Sequence, residues 1–413
     1  MKIYLVGGAV RDRLLNLPSR DHDWVVTGAT PQQMTELGYK PVGKDFPVFL
    51  HPQTKEEFAL ARTEKKSGHG YHGFIFHTSV DVTLEEDLAR RDLTINAMAE
   101  DGDGNIIDPY GGQKDLQNRM LRHVSDAFIE DPVRLLRIAR YAARYAKFGF
   151  TIAQETQDLL KKIVNSGEIN ELVAERVWNE ISSALDEDTP SVFFLTLRRC
   201  NALAVLLPEI DRLFGVPQTV RHHPEIDTGI HTMMVIDMAA RLDASNSVRF
   251  ACLCHDLGKG CTAASLLPRH IAHESKGVAL INKLCKRLRI PTGHRQIAGL
   301  VCKYHTHCHR ATELRISTIL RILESIDAFR RPQRLDEFLL ACEAESRGRL
   351  GFEDVHYPQA NVFRLSFQAA EQVEINDLVS SGAKGEEIKR QLNSRRSEAI
   401  AAVLDKTKSV DCE

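Results

Sequence analysis

The hydrophobic positions of this chain change their period twice near its start. "KIYLV" (2–6) is a short apolar run that predicts a strand, Gly7 and Gly8 mark a tight turn, and "AVRDRLLNL" (9–17) has helical spacing that stops at Pro18. "DHDWVV" (21–26) then predicts a second strand that opens on two acids. Side chains in a strand alternate faces, so Asp21 and Asp23 are expected on one side, where such pairs are usually just solvated. "EFALAR" (57–62) reads as a further strand, and strand-like, glycine-containing segments continue to "NIIDPYGG" (105–112).

From about residue 125 the apolar spacing is helical almost without interruption, as in "DPVRLLRIARYAARYAKFGF" (131–150), "ERVWNEISSAL" (175–185) and "PSVFFLTLRRCNALAVLLPEI" (190–210). The expectation is an α/β head followed by an all-α body. There is no internal repeat, low-complexity stretch or Gly/Ser linker, so the domain boundaries come from shifts of character near 125, 220 and 330. They predict a head (1–125), a helical neck (126–221), a histidine-rich helical domain (222–330) and a helical C-terminal region (331–413).

Composition narrows this picture in three respects. With 413 residues and 43% hydrophobic content the chain can build several cores. A formal net charge of −2 excludes a protein that is basic all over, so contact with nucleic acid would have to come from local patches such as "KLCKRLR" (283–289) and "RRPQR" (330–334). Nine cysteines without a CxxC fit reduced thiols, and no apolar run reaches about 18 residues. Together these lead to the expectation of a cytoplasmic protein that makes no membrane contact.

The N-terminal unit of strand, Gly-Gly and helix carries candidate chemistry. Two glycines opening a helix let backbone N–H groups approach a polyphosphate, and Arg11 adds a guanidinium fork. Asp21 and Asp23 on the neighbouring strand offer the oxygen ligands that Mg2+ needs when it bridges protein carboxylates to phosphates. The unit is neither a Walker A loop nor a Rossmann fingerprint, because GxxxxGK[ST] is absent and no GxGxxG follows the strand. In "EDPVRLLRIAR" (130–140) Asp131 is placed to cap a helix with Pro132 in its first turn, and Arg134, Arg137 and Arg140 follow at spacing three. Taken alone that stripe reads as a solvated basic face. Beside "RRDLTINA" (90–97), which holds Arg91, and the glycine cradle, it reads as part of a triphosphate pocket.

Ten of the seventeen histidines fall between residues 222 and 309. His231 and the pair His255-Asp256 lie in helical, otherwise apolar settings, where buried imidazoles need partners, so they form a candidate metal site. His273 and His305 are further candidates.

GGAVRD (7–12), DHD (21–23), RRDLTINA (90–97), EDPVRLLRIAR (130–140) and ERVWNE (175–180) resemble, in order, the motifs of the class II tRNA nucleotidyltransferases. These are the CCA-adding enzymes of the polymerase β superfamily, and the remainder of the chain resembles the bacterial subtype that carries an HD domain. The resemblance implies a polymerase β-like head, two Mg2+ held by the catalytic Asp21 and Asp23, and attack of the tRNA 3′ hydroxyl on CTP or ATP. It implies that Gly8, Arg11, Arg91, Arg137 and Arg140 bind the nucleotide. It also implies that Asp131 and Arg134 read the amino-donor and ring-acceptor edge that cytosine and adenine share. Glu57 corresponds to a possible third acid and is set aside as an ordinary exposed strand glutamate.

The later H and HD pattern resembles the HD phosphohydrolases. It implies a transition metal such as Ni2+ on His231, His255 and Asp256, and phosphatase, 2′-nucleotidase and 2′,3′-cyclic phosphodiesterase activities. Where those enzymes usually carry a late aspartate, "EAES" (343–346) places Glu345. The implied partners are the 3′ end and acceptor arm of tRNA with CTP and ATP, and the expected assembly is a monomer or homodimer. A bacterial poly(A) polymerase and a non-catalytic tRNA-binding protein are the competing readings.

Overall fold

A computed structural model describes residues 1–19, 22–42, 48–66, 74–220, 223–374 and 384–410. The chain divides into two compact units: residues 1–184 with 192–206, and residues 185–191 with 207–413.

In the first unit, strand β1 (Lys2–Val6) is apolar on both faces and lies inside a seven-stranded sheet. Helix α1 (Gly8–Leu14) follows it directly, and β2 (Asp23–Thr27) returns antiparallel beside it. Helix α2 (Pro31–Glu36), capped by Thr30 and Gln33 in a reciprocal capping box, leads to β3 (Lys40–Val42), β4 (Val48–Leu50) and β5 (Glu57–Leu60). β6 (Thr63–Lys66) and β7 (Phe74–His77) form a separate antiparallel ribbon. After α3 (Leu84–Ala89), β8 (Ala99–Glu100) and β9 (Ile106–Ile107) complete the sheet, whose order is β3-β4-β5-β2-β1-β8-β9.

Only the pairing of β2 with β5 is parallel in this sheet. Tyr4, Val6 and Val25 pack on one face with Leu84 and Leu88 of α3. On the other face, Val26, Phe58 and Leu60 pack with Met34 of α2. This period-two division is what the pleat dictates for a sheet covered on both sides.

Helix α4 (Gly112–Gln117) and a two-stranded parallel pair, β10 (Met120–Leu121) with β11 (Thr151–Ile152), join the sheet to helical chain. Helix α5 (Val133–Arg144) buries Leu135, Leu136, Ile138, Ala139, Ala142 and Ala143, the stripe expected of its spacing. Each such leucine or isoleucine contributes roughly 1.5–3 kcal/mol by leaving water. α6 (Gln154–Asn165), α7 (Ala174–Leu185), α8 (Ser191–Arg199) and the short α9 (Ala202–Leu206) follow.

The second unit is helical. After α10 (Pro208–Asp211) come α11 (Thr228–Arg241), α12 (Asn246–Cys254), α13 (His273–Arg287), α14 (Thr292–His309), α15 (Ile316–Ser325) and α16 (Gln333–Arg347). α11, α12, α14 and α16 pack on one another, and α13 packs on α14. Asp227 caps α11 by accepting a hydrogen bond from the Ile230 N–H at 2.9 Å. α17 (Gln359–Glu371) and α18 (Glu386–Val410) close a smaller core through Leu320, Ala370 and Ile400. Each cysteine among the described residues is free, and Cys412 lies outside them. No helix of the described residues is long and apolar enough to cross a membrane.

One close approach fixes the turn that follows the HD pair. A Cβ added at Gly258 would collide with the His273 carbonyl and sit 2.8 Å from the Gly277 N–H nitrogen, both main-chain atoms that cannot rotate away. Gly258→Ala is therefore expected to destabilise the second unit by about 1–3 kcal/mol, the usual cost of overpacking. Urea unfolding followed by far-UV circular dichroism checks this, and an unchanged midpoint would contradict the contact.

Candidate functional site

In the head, register brings the pieces together. Asp23 pairs with Val6, the residue before the glycine turn, and on its other side pairs with Glu57 of the parallel strand β5. Asp23 and Glu57 are both exposed at the same end of neighbouring strands. Glu57, set aside as an ordinary strand glutamate, thus stands beside the catalytic candidate. Its partnership follows from a long-range parallel pairing that periodicity within one strand does not reveal. Asp21 lies outside the described residues.

Gly7 has φ of 72°, a conformation that disfavours any side chain. A Cβ there would lie 2.7 Å from Nη1 of Arg91, and one on Gly8 would lie 3.3 Å from Nη2 of Arg11. Each glycine is thus overlain by an arginine. Arg11 is only 3% exposed. It donates from Nε to Asp12 at 2.8 Å and from Nη1 to Asn96 Oδ1 at 2.5 Å, and lies 5.4 and 5.3 Å from the ring centroids of Tyr141 and Tyr145. Burial disfavours its charge, but Tyr145, Tyr141 and Asp12 outweigh that and raise its pKa.

Asn96 donates onward to Asp92 at 2.9 Å, and the other oxygen of Asp92 accepts from Arg137 Nε at 2.7 Å. Burial pushes the Asp92 carboxyl up, yet Arg137 and Asn96 prevail and hold it below the ordinary carboxylate range. Arg140 is paired with Glu180 at 2.7 Å and lies 4.7 Å from the Tyr141 ring centroid, while Arg91 reaches Asp87 at 3.4 Å. The arginine stripe is therefore not a loose basic face, because each of its members is held. Arg134 donates to the main-chain carbonyls of Ala127 at 3.1 Å and Arg90 at 2.6 Å. Asp131 accepts from the Val133 N–H at 3.1 Å and from Arg176 at 3.0 Å, so it steadies the first turn of α5. Arg176, Glu180, Asp92 and Asn96 lie inside motifs already recognised, but nothing in their spacing marks them as the anchors of this pocket.

The second constellation is in the helical unit. His231 and His255 are fully buried, Asp256 is 1% exposed and Glu345 is 4% exposed. His231, His255 and Glu345 bring one ligand atom each within 4.8 Å of one another, and Asp256, His273 and His305 do the same. The two groups touch where His255 Nε2 lies 3.0 Å from Asp256 Oδ2. Glu345, despite its longer side chain, reaches the cluster: Oε1 is 3.6 Å from His231 Nε2, and Oε2 contacts His309 Nε2.

The rings are oriented from behind. Nδ1 of His255 faces the Cys252 carbonyl at 2.7 Å, that of His273 the His270 carbonyl at 2.8 Å, and that of His305 the Val301 carbonyl at 3.0 Å. Nδ1 of His231 lies 2.9 Å from Glu225, and that of His309 lies 2.9 Å from the Tyr357 hydroxyl. A carbonyl can only accept, so at His255, His273 and His305 the proton sits on Nδ1 and the lone pair of Nε2 points inward. Burial pushes His305 down to about 3 and His309 to about 4, which keeps both rings neutral. At His231 burial acts the same way, but Glu225 and Glu345 outweigh it and raise the pKa, a proton that a cation would replace. Nε2 of His231, His255 and His273 and Oδ1 of Asp256 are buried without a hydrogen-bond partner, while Oδ2 of Asp256 is ion-paired with Lys259 at 2.6 Å and Oε1 of Glu345 accepts from Arg349 at 2.8 Å. Such a convergence of unsatisfied lone pairs fits a divalent cation.

The Asp92 network gives a test by pH. Its depressed pKa means that its stabilisation is complete above about pH 4, where the unfolded carboxyl is ionised, and fades as pH falls toward the folded value. Asp92→Asn is expected to lower stability at neutral pH by about 2 kcal/mol. That lies below the ~3–5 kcal/mol of a fully buried pair because the Arg137 side chain is 37% exposed. Urea titrations of both proteins at neutral pH and at pH about 3 should show the gap narrowing in acid; an equal gap at both would refute the linkage.

Comparisons with known proteins agree with this division of chemistry. Residues 3–122 match the family model "Poly A polymerase head domain", residues 149–214 match "Probable RNA and SrmB- binding site of polymerase A", and residues 228–331 match "HD domain". The chain is similar in fold to the Thermotoga maritima CCA-adding enzyme complexed with tRNA, with a TM-score of 0.63 and 19% identity over 98% of this chain and 91% of that one. It is 58% identical to the Multifunctional CCA protein of Thioalkalivibrio sulfidiphilus over 400 residues, 97% of this chain and 98% of that one. It is 57% identical to that of Alkalilimnicola ehrlichii over 403 residues, 98% of each chain. The chain therefore belongs to the family of multifunctional CCA proteins.

Proposed function

We propose that this protein adds and repairs the 3′-terminal CCA of tRNA without a template, using CTP and ATP, and that its HD domain hydrolyses phosphoesters. The observation that carries the first activity is the acidic strand edge of Asp23 and Glu57 beside a glycine turn overlain by Arg11 and Arg91. Both activities depend on divalent cations. In the reaction the tRNA 3′ oxygen forms a bond to the α-phosphorus of the nucleotide, the bond to the bridging oxygen breaks, pyrophosphate leaves and the hydroxyl gives up its proton. Asp21 and Asp23 are read as ligands of Mg2+, which supplies Lewis acidity at the phosphates and makes the hydroxyl a better nucleophile.

Gly8, Arg11, Arg91, Arg137 and Arg140 are assigned to the nucleotide. Arg11 and Arg137 enter that role already fixed by Asp12, Asn96 and Asp92, so little freedom is lost when phosphates arrive. Asp131 and Arg134 are assigned to the base edge. Arg134 spends two of its five N–H groups on carbonyls and keeps the others to donate to a ring nitrogen, while a carboxylate accepts from the exocyclic amine. Uracil and guanine present the opposite pattern. A tRNA substrate supports a cytoplasmic location for this work.

In the HD domain, His231, His255, Asp256 and Glu345 are read as metal ligands. The imidazole-rich set suits Ni2+, Co2+ or Mn2+ better than Mg2+. A metal held by these residues would supply Lewis acidity to a bound water for attack on phosphomonoesters and 2′,3′-cyclic phosphates.

Two measurements test these assignments. Asp23→Ala should abolish incorporation into tRNA lacking its 3′ end while tRNA binding stays largely intact. Arg134→Ala should also let UTP compete with CTP, at a cost of roughly 1–3 kcal/mol of discrimination. Unchanged CTP and ATP preference would make Arg134 a scaffold residue, and C, C, A addition that runs on into a long A tail would favour the poly(A) polymerase reading. Separately, His255→Ala or Asp256→Ala should remove metal-dependent phosphohydrolysis and leave CCA addition near normal. A parallel loss of both in a folded variant would contradict separate sites.

A further inference from the structure

One residue beyond Tyr141, whose ring meets Arg11, Arg137 and Arg140, Ala142 of α5 lines a cavity of about 220 Å3. The remaining walls come from β11 with Phe150 before it, from α6 and from α8. None of Arg11, Arg91, Arg137 and Arg140 lines it, so it is separate from the pocket at the glycine turn.

Three kinds of group surround this space. Ala142, Phe150, Ile152, Leu160 and Val192 make an apolar slot, in which the Phe150 ring is held 5.2 Å from that of Tyr145, centroid to centroid. Gln157 and Thr196 bring hydrogen-bonding groups to the slot, and Thr196 is 5% exposed. Gln157 donates from Nε2 to the Ile152 carbonyl at 2.8 Å, which leaves its side-chain oxygen to accept. Lys161 and Arg199 are exposed and complete the lining with positive charge. Lys161 meets Asp158 only at 3.8 Å, and Arg199 makes no ion pair among the described residues.

Size and chemistry together select an occupant. An apolar cavity of about 150 Å3 already accepts benzene, so this one has room for a ring with polar substituents. An aliphatic acid would suit the apolar wall and the cations, but it would leave the Gln157 oxygen and the Thr196 hydroxyl against hydrocarbon, which costs free energy. A nucleobase meets both demands, because its edge carries donors and acceptors and its faces pack on apolar side chains. A phosphate on the same molecule stays at the rim, where guanidinium and ammonium groups bind it. Ten of the eleven lining residues fall within 149–214, the stretch that matches "Probable RNA and SrmB- binding site of polymerase A". A nucleotide can thus reach the cavity either free or as part of an RNA strand.

We propose that this cavity is a second nucleotide site, which takes a nucleobase between Phe150, Leu160 and Val192 and holds its phosphate between Lys161 and Arg199. It goes beyond CCA addition, whose nucleotide is assigned to the pocket at the glycine turn. No carboxylate or imidazole lines the cavity, so its residues bind the nucleotide and release it unchanged.

AMP with a photoreactive azido group on the adenine ring is the probe, because its crosslinks record where the base lay. The full chain is irradiated with it, and labelled peptides are mapped by mass spectrometry. Parallel samples contain excess AMP, ribose phosphate or a short single-stranded RNA. The expected result is label on cavity peptides from α6 or α8 beside label in the head, with the cavity label removed by AMP and not by ribose phosphate. Lys161→Glu combined with Arg199→Glu should raise the probe concentration needed for cavity labelling by roughly tenfold, the scale of two exposed charge contacts reversed, and leave head labelling in place. Val192→Trp, which fills the slot without altering charge, should abolish the same label, and far-UV circular dichroism identifies folded variants. Displacement by RNA at a lower nucleotide concentration than by AMP supports the site with a strand as its source, and displacement by AMP alone supports it with a free nucleotide. Label confined to the head overturns the site, as does cavity label that neither AMP nor RNA removes or that survives both variants. Equal displacement by ribose phosphate overturns the placement of the base in the slot. Cavity label without head label counts instead against the nucleotide assignment in the head.

Discussion

A guanidinium buried in the head is the constraint from which much of the first unit follows. Moving an arginine out of water is costly unless every side of it meets an acceptor or a π face. For Arg11 those are supplied by Asp12 in its own helix, Asn96 in the turn after α3, Tyr141 in α5 and Tyr145 at the C-terminal end of that helix. Three segments far apart in sequence must therefore meet at one point. Tyr145 closes the arrangement by donating to Asp12 at 3.2 Å. Because Asn96 also ties to Asp92 and through it to Arg137, the glycine turn and the arginine helix share one polar network. A network of this kind positions its members more sharply than surface charges could, since displacing one leaves the others unsatisfied.

The helical unit solves the complementary problem. The head gathers guanidinium groups about its glycine turn, whereas the HD domain gathers buried imidazole and carboxylate lone pairs. In both, the clustered groups are held by partners behind them. Asp92 stands behind Arg137, Glu180 behind Arg140, and main-chain carbonyls behind three of the histidines. The cost of ordering these side chains is met during folding, and binding is spared it.

Local pattern carried the parts of this protein that are local. The strand, glycine turn and helix at the N-terminus, the apolar stripe of α5 and the pair His255-Asp256 are each set by neighbours in the chain, so their spacing sufficed. The pairing of Asp23 with Glu57 was not legible, because it depends on a parallel register between strands separated by α2 and two other strands. Nor was the state of Arg134, Arg137 and Arg140. A spacing of three predicts a face but not whether that face meets water, and here it meets Arg90, Asp92 and Glu180. The reach of Glu345 is a matter of where α16 lies against α11, which no count of methylene groups in the sequence could decide.

The means by which the histidines are oriented bears on how this site can change over generations. His255, His273 and His305 lean on main-chain carbonyls, which every residue type provides, so no replacement at Cys252, His270 or Val301 removes the acceptor itself. His231 and His309 depend instead on the side chains of Glu225 and Tyr357, each of which a single codon change can delete. The centre is thus unevenly exposed to drift. Its inner histidines are insulated by the backbone, and its sensitivity to substitution is greatest at the two side chains that orient the outer ones.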